Sequence, residues 1–195
     1  MKYFQIIFLL FFSCSLLAET RIDYYVNLGG IKIADANFTI KSDKNNWSLL
    51  TEVEAAGIVD VFVKFISTTE SKGIINDNKL VPELYKFSYL TGRGSSRNGS
   101  ITYKDNIPIR LAADPNYADD EKPSLKFLEK YGSASNDPYS ALLVHGSYTD
   151  PCQFIAQGFD GLRSFKTIFV RPAKEEKIKI GEQEVLTSKC VGYFD

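Results

Sequence analysis

The chain is poor in the residues that most often carry chemistry. Its 195 residues include one histidine, one methionine, one tryptophan and three cysteines. One histidine and two cysteines that read as a bridged pair once the leader takes Cys14 cannot supply the ligands of a zinc site. Charge of one sign is lacking too, with 23 basic residues against 24 acidic ones. A nucleic-acid partner, which shows as a basic excess, is therefore not expected, and the balance gives no general pull toward anionic membranes. The one long apolar stretch, Phe4 to Phe12 interrupted by Gln5, is too short to span a bilayer. An integral membrane protein is not expected. Neither an internal repeat nor a composition break divides the chain.

What the first residues do contain is an export signal. Lys2 supplies the positive start, Phe4–Phe12 the apolar middle, and Ser13–Ala18 a run of small and apolar residues. Cleavage after Ala18 makes residues 1–18 a signal peptide and 19–195 a single, mostly β domain. A minor alternative is lodged inside the leader. Phe11-Phe12-Ser13-Cys14 faintly resembles a lipobox, which would leave Cys14 lipidated as a membrane anchor. With Cys14 removed, Cys152 and Cys190 remain as an even pair in an oxidising compartment. A disulfide is the default expectation, worth about 3.5–4 kcal/mol for a loop of that length; two separate buried thiols are the alternative.

Period-2 alternation dominates the mature chain. Ile22, Tyr24, Val26 and Leu28 predict a strand, and Gly29-Gly30 a two-residue hairpin turn. On the return strand the apolar positions change parity, from Ile31 and Ile33 to Ala34, Ala36, Phe38 and Ile40, which predicts a β-bulge near Ala34. Asp43–Asn46 reads as a turn and Trp47–Ala55 as a third strand. Gly57–Ile66 fits either a strand or a short helix; its β-branched residues favour the strand. Further strands are expected at Thr68–Ile75, Glu83–Leu90, Ile101–Tyr103, Ile107–Leu111, Arg163–Val170, Lys177–Ile180 and Glu184–Phe194. Val81-Pro82 is expected before its strand, Thr91–Gly99 as a Gly/Ser loop, and Ala113–Pro123 as an acidic surface loop. Asp137 can cap a helix from Pro138, at its first position, to His145, with Gly146 beyond its end.

Several segments resemble one family. Asn136-Asp137-Pro138-Tyr139-Ser140-Ala141-Leu142-Leu143 is similar to the helix start of domain of unknown function 3108, a family of exported bacterial proteins. Phe159-Asp160-Gly161-Leu162-Arg163 resembles its characteristic turn, and Cys190 followed by Gly192-Tyr193 fits its closing region. Tyr24-Tyr25-Val26, Gly29-Gly30-Ile31 and Leu80-Val81-Pro82 share its rhythm. The likeness spans most of the mature chain. It implies a periplasmic protein of mainly β class, an antiparallel, strongly curved or barrel-like sheet with one or two short helices, and no agreed activity. Family members usually continue for several tens of residues past the closing region, whereas this chain stops at Asp195, which suggests a C-terminal truncation.

No constellation argues for catalysis. Ser140 and His145 stand five residues apart, about 140° around a helix, and no Gly-x-Ser-x-Gly elbow surrounds Ser140. Gly92–Gly99, with Arg93 and Arg97, could cradle an anion but lacks a P-loop ending and reads better as a hairpin loop. Asp114, Asn116, Asp119, Asp120 and Glu121 miss the calcium-loop spacing. Asp160-Gly161 reads as a turn, with Arg163 a structural partner for Asp160 or Asp137. Asp137, Pro138, Ser140, Asp160, Gly161 and Arg163 are the positions to inspect. The expectation is no catalytic residue, no cofactor and no metal. The favoured function is a non-catalytic module holding an apolar or lipid-like ligand on its sheet. The alternative is a structural or interaction protein of the cell envelope with a protein partner.

Overall fold

The computed structural model describes residues 18–77, 79–116, 136–141, 143, 152–161, 164–170, 175–180, 182–188 and 190–194. Seven strands follow one another as an antiparallel meander: β1 (Ala18–Leu28), β2 (Ile31–Ser42), β3 (Asn46–Ala55), β4 (Phe65–Asn76), β5 (Lys79–Thr91), β6 (Ser96–Lys104) and β7 (Ile107–Asp114). Among the described residues β1 and β7 do not pair with each other, so the sheet has two separate edges. A three-stranded sheet follows in the order β12 (Val191–Phe194), β9 (Ser164–Val170), β8 (Ile155–Phe159). Between β9 and β12 the chain forms a separate hairpin of β10 (Glu175–Ile180) and β11 (Gln183–Ser188). The class is mainly β and antiparallel, with one short helix among the described residues, α1 (Ile58–Phe62).

Register explains why one face of the meander is the core face. Ile22 lies opposite Phe38, Phe38 opposite Thr51, Thr51 opposite Thr69, and Thr69 opposite Phe87. A second row runs Ile40, Leu49, Ser71, Tyr85, Ile101 and Leu111. Side chains alternate faces with period 2, so these rows share one side. Here the sheet carries aromatic and aliphatic groups at both ends and a hydroxyl stripe on β4. The deepest packing joins Tyr85, Ile101 and Tyr103 to Phe159 of β8. The small sheet therefore covers this face at the β5–β7 side.

Among the described residues three bulges interrupt the ladders. Ala34 pairs with Val26 while Lys32 pairs with Asn27, which leaves Ile33 as the extra residue, one position from the parity change in the sequence. Gly73 pairs with Pro82 and Lys72 with Leu84, so Glu83 is extra. Ile109 is the third, between Pro108 and Arg110. The second bulge corrects the expectation for Val81-Pro82. Pro82 lies inside β5, tolerated because the ladder is already broken there. Gly73 opposite is required by closeness: a Cβ there would lie 1.9 Å from the Val81 carbonyl oxygen.

Other strand limits change as well. The Gly/Ser segment after Thr91 is a tight turn, Gly92–Ser95, and β6 already begins at Ser96. Glu184–Phe194 is two strands, β11 and β12, in different sheets. Cys190 sits between them, bridged to Cys152 just before β8 with Cα atoms 5.1 Å apart. Gly57–Val63 does not continue as strand. Gly57 takes φ +65°, the chain leaves the ladder, and residues 58–62 form a turn and a half of helix instead. β-branching favours a strand only where a pleated surface receives the side chains; here no residue of α1 is buried. Gly29 and Gly30 occupy positive φ (58° and 84°), as a two-residue hairpin requires.

Candidate functional site

The site begins with a carboxylate that water does not reach. Asp137 is fully buried, and four donors converge on it. Its Oδ1 accepts the Ser71 hydroxyl at 2.6 Å and the backbone N–H groups of Tyr139 (3.1 Å) and Ser140 (3.0 Å). Its Oδ2 accepts the Ser140 hydroxyl. The capping role expected of Asp137 is thus present, with Pro138 following it. Ala141 N–H donates to the Asp137 carbonyl and Leu143 N–H to that of Tyr139, the i to i−4 pattern of a helical turn. Residues 138–141 form a turn, and His145 and Gly146 lie outside the described residues. Ser71, on the hydroxyl stripe of β4, ties this turn to the core face from 66 residues away.

The two sequence motifs are laced to each other. Phe159 N–H donates to the Asn136 carbonyl at 2.9 Å, and Asn136 N–H donates to that of Gln157 at 3.3 Å. Tyr103 completes the junction, its hydroxyl donating to the Phe159 carbonyl at 3.3 Å. Burial pushes the Tyr103 phenol well above its ordinary value, and the charge of Asp137, followed by Tyr85 and Asp160, pushes the same way. Asp160 and Gly161 form the expected turn after β8, with Gly161 at φ +101°. Arg163 lies outside the described residues, as does the expected pairing through it.

Beside this anchored turn lies an open apolar groove of about 500 Å³. Ile22, Ala36, Phe38 and Ile40 form its floor, Tyr24 stands at its rim, and Tyr139 and Leu143 overhang it. An aromatic chain connects rim to core. Tyr24 meets Phe38 edge-on at 5.3 Å, Phe38 meets Tyr139 at 6.1 Å, and Tyr139 meets Tyr85 at 6.5 Å between ring centroids. Burial raises the Tyr139 phenol too. The floor was readable from alternation in β1 and β2. The overhang was not, because nothing local marks Tyr139 as the residue that crosses to β1 and β2.

No helix among the described residues is long and apolar enough to cross a membrane. The family described as "Protein of unknown function (DUF3108)" matches residues 21–192. No curated protein and no solved structure matches the chain.

Proposed function

The chain belongs to the DUF3108 family, and on that footing we propose that it is an exported, non-catalytic binding module for an apolar or lipid-like ligand. The observation that carries this reading is the groove over β1 and β2. Its volume of about 500 Å³ lies within the range of small-molecule sites, and its walls are mostly apolar with few polar groups. The second sheet packs against the β5–β7 side of the core face. Among the described residues only Tyr139 and Leu143 join β1 and β2 in lining the groove. Bulges at Ile33, Glu83 and Ile109 bend their strands and add twist. We therefore take the sheet to curve around the ligand as an open half-barrel.

The polar cluster argues against chemistry. Ser71 and Ser140 are almost fully buried and both give their hydroxyls to Asp137, so neither presents a nucleophile to a substrate. The leader directs export to the periplasm with cleavage after Ala18; lipidation of Cys14 is the alternative. The rival reading, an interaction protein of the envelope, draws on the apolar residues exposed at α1.

The test is extraction and mass spectrometry of protein purified from the periplasm, followed by titration with a fluorescent fatty acid. Tyr24 is about half exposed at the groove rim, so Tyr24→Ala leaves the fold intact and removes contact area from the ligand. A ring of this kind contributes about 1.5 kcal/mol when covered, so affinity falls about tenfold. Equal binding by the wild type and Tyr24→Ala, or no binding by either, overturns the reading.

A further inference from the structure

The connections at the two ends of the seven-stranded sheet differ in kind. At one end stand the β2–β3, β4–β5 and β6–β7 turns, which carry Asp43, Asp77, Asp105 and Asn106. These are polar turns of the usual solvated sort, and Asn45 and Asn46 N–H groups close the first on the Asp43 carboxylate. At the other end stand the β1–β2 turn, α1 and the β5–β6 turn. Leu28 and Ile31 flank the first, at 70 % and 56 % exposure; Val61 and Phe62 on α1 reach 75 % and 79 %. Ile58 and Val63 are exposed beside them.

These pieces adjoin. Ala56 N–H donates to the Ile33 carbonyl at 2.9 Å, which seats the start of α1 against β2. On the other flank Gly92 of the β5–β6 turn packs on Lys64; a Cβ on it would lie 2.9 Å from the Lys64 backbone nitrogen. Lys64 and Arg93, the residue after Gly92, thus lie at this same end of the sheet, both exposed, and neither takes part in an ion pair among the described residues. Lys32 adds a third cation, offset by Asp35 at 2.6 Å and stacked over the Tyr25 ring at 4.3 Å. Asp60 is the acidic residue of α1. An apolar tip with aromatic and cationic neighbours is the composition of a surface that settles into a bilayer interface, with apolar groups among the upper acyl carbons and cations at headgroup level.

We propose that this end of the sheet docks on a lipid bilayer containing anionic phospholipid. Charge complementarity selects that partner over an apolar protein surface, because the cations beside the tip sit where lipid phosphates would lie. The chain as a whole is nearly neutral, so the attraction is local to the tip. Leu28 is continuous in β1 with Tyr25, Val26 and Asn27, which line the groove. A docked molecule therefore holds the groove mouth close to the membrane. The docking itself does not depend on what the groove binds.

The experiment is co-sedimentation with vesicles of phosphatidylcholine alone and with 30 mol % phosphatidylglycerol, roughly the order of anionic lipid at which surface potentials matter. It uses protein recovered from the periplasm, with its first residue fixed by intact mass. Wild type and variants then share one N-terminus, so an anchor there cannot create a difference between them. Wild type partitions onto the anionic vesicles, and less so at 0.5 M salt. Phe62→Ser reduces partitioning about tenfold while its urea midpoint and its fatty-acid titration stay those of wild type. Lys64→Glu with Arg93→Glu removes the preference for phosphatidylglycerol. The proposal is overturned by wild-type protein that stays off anionic vesicles, or by Phe62→Ser that partitions as wild type does. It is equally overturned if Phe62→Ser instead abolishes self-association or capture of a protein partner without any vesicle binding. A failed fatty-acid titration with intact vesicle binding would remove the groove reading and leave this one standing.

Discussion

Replacing Asp137 by alanine strips four donors of their acceptor at once, and three lie where water does not replace it. Ser71 and Ser140 are 1 % and 2 % exposed, and the Ser140 N–H is buried with its side chain. Loss of a helix-turn cap costs about 1 kcal/mol. A hydroxyl bonded to a charged acceptor contributes about 1.5–3 kcal/mol, and its orphaned partner adds a desolvation cost. Against this, alanine relieves the desolvation of a carboxylate with no cation beside it among the described residues. The balance is a loss of about 3–4 kcal/mol for Asp137→Ala. Asp137→Asn keeps the Oδ1 acceptor, and the Ser140 hydroxyl can rotate to accept from the new amide, so about 1–2 kcal/mol is lost. Urea unfolding at pH 7 reads both, with Trp47 as the probe because it is the one tryptophan and is buried. With a slope near 2 kcal/mol per molar, the alanine variant shifts the midpoint by about 1.5–2 M. Fatty-acid affinity falls with it, since the same cap holds Tyr139 over the groove. A cost below about 1 kcal/mol for alanine, or equal costs for alanine and asparagine, refutes the carboxylate as the anchor.

Two further outcomes bear on the frame. Cys152→Ala with Cys190→Ala opens a loop of 38 residues, and the chain-entropy relation puts the loss near 4 kcal/mol. The urea midpoint of the oxidised protein should fall to that of the variant on adding reductant; a change under 1 kcal/mol would sink the estimate. For Tyr103 the sign follows from proton binding. Its phenol is raised in the folded state, so above about pH 10 the unfolded chain loses this proton while the folded chain keeps it. Stability is thus intact below pH 10 and falls by about 1.4 kcal/mol per pH unit above it. Tyr103→Phe should remove its share of that alkaline slope in unfolding measured from pH 9 to 11, leaving the part that Tyr139 adds by the same sign, and an unchanged slope would assign it elsewhere.

Local rules were enough for the first three strands because each gave two agreeing signals there: alternation for the strand and glycine or Asx chemistry for the turn. Even the bulge left a trace, since the extra residue Ile33 shifts the parity of every apolar position after it. The same reasoning failed at 58–63. Its β-branched residues look like strand, but that preference reflects burial on a pleated surface, and no residue of α1 is buried. Exposure, not propensity, is the informative property of that segment, and exposure is a tertiary fact. The strand limits around Pro82 and Ser96 were missed for a related reason, because a bulge or a glycine reads locally as an end of strand and globally as a bend within one.

The candidate site shows the sharper limit. Asp137 and Pro138 announced a helix start from sequence alone, and Asp160-Gly161 a turn. Neither motif hinted that Asn136 and Phe159 exchange backbone contacts, or that Ser71 would complete the carboxylate's shell. Serine on a strand carries no mark of its partner 66 residues away. Yet that partnership decides where Tyr139 sits, and Tyr139 is shared by the packed core and the open groove. The motif residues thus act at one remove. They hold a turn against β4, and the turn presents the aromatic ring that stands between the packed half of the sheet and the open groove.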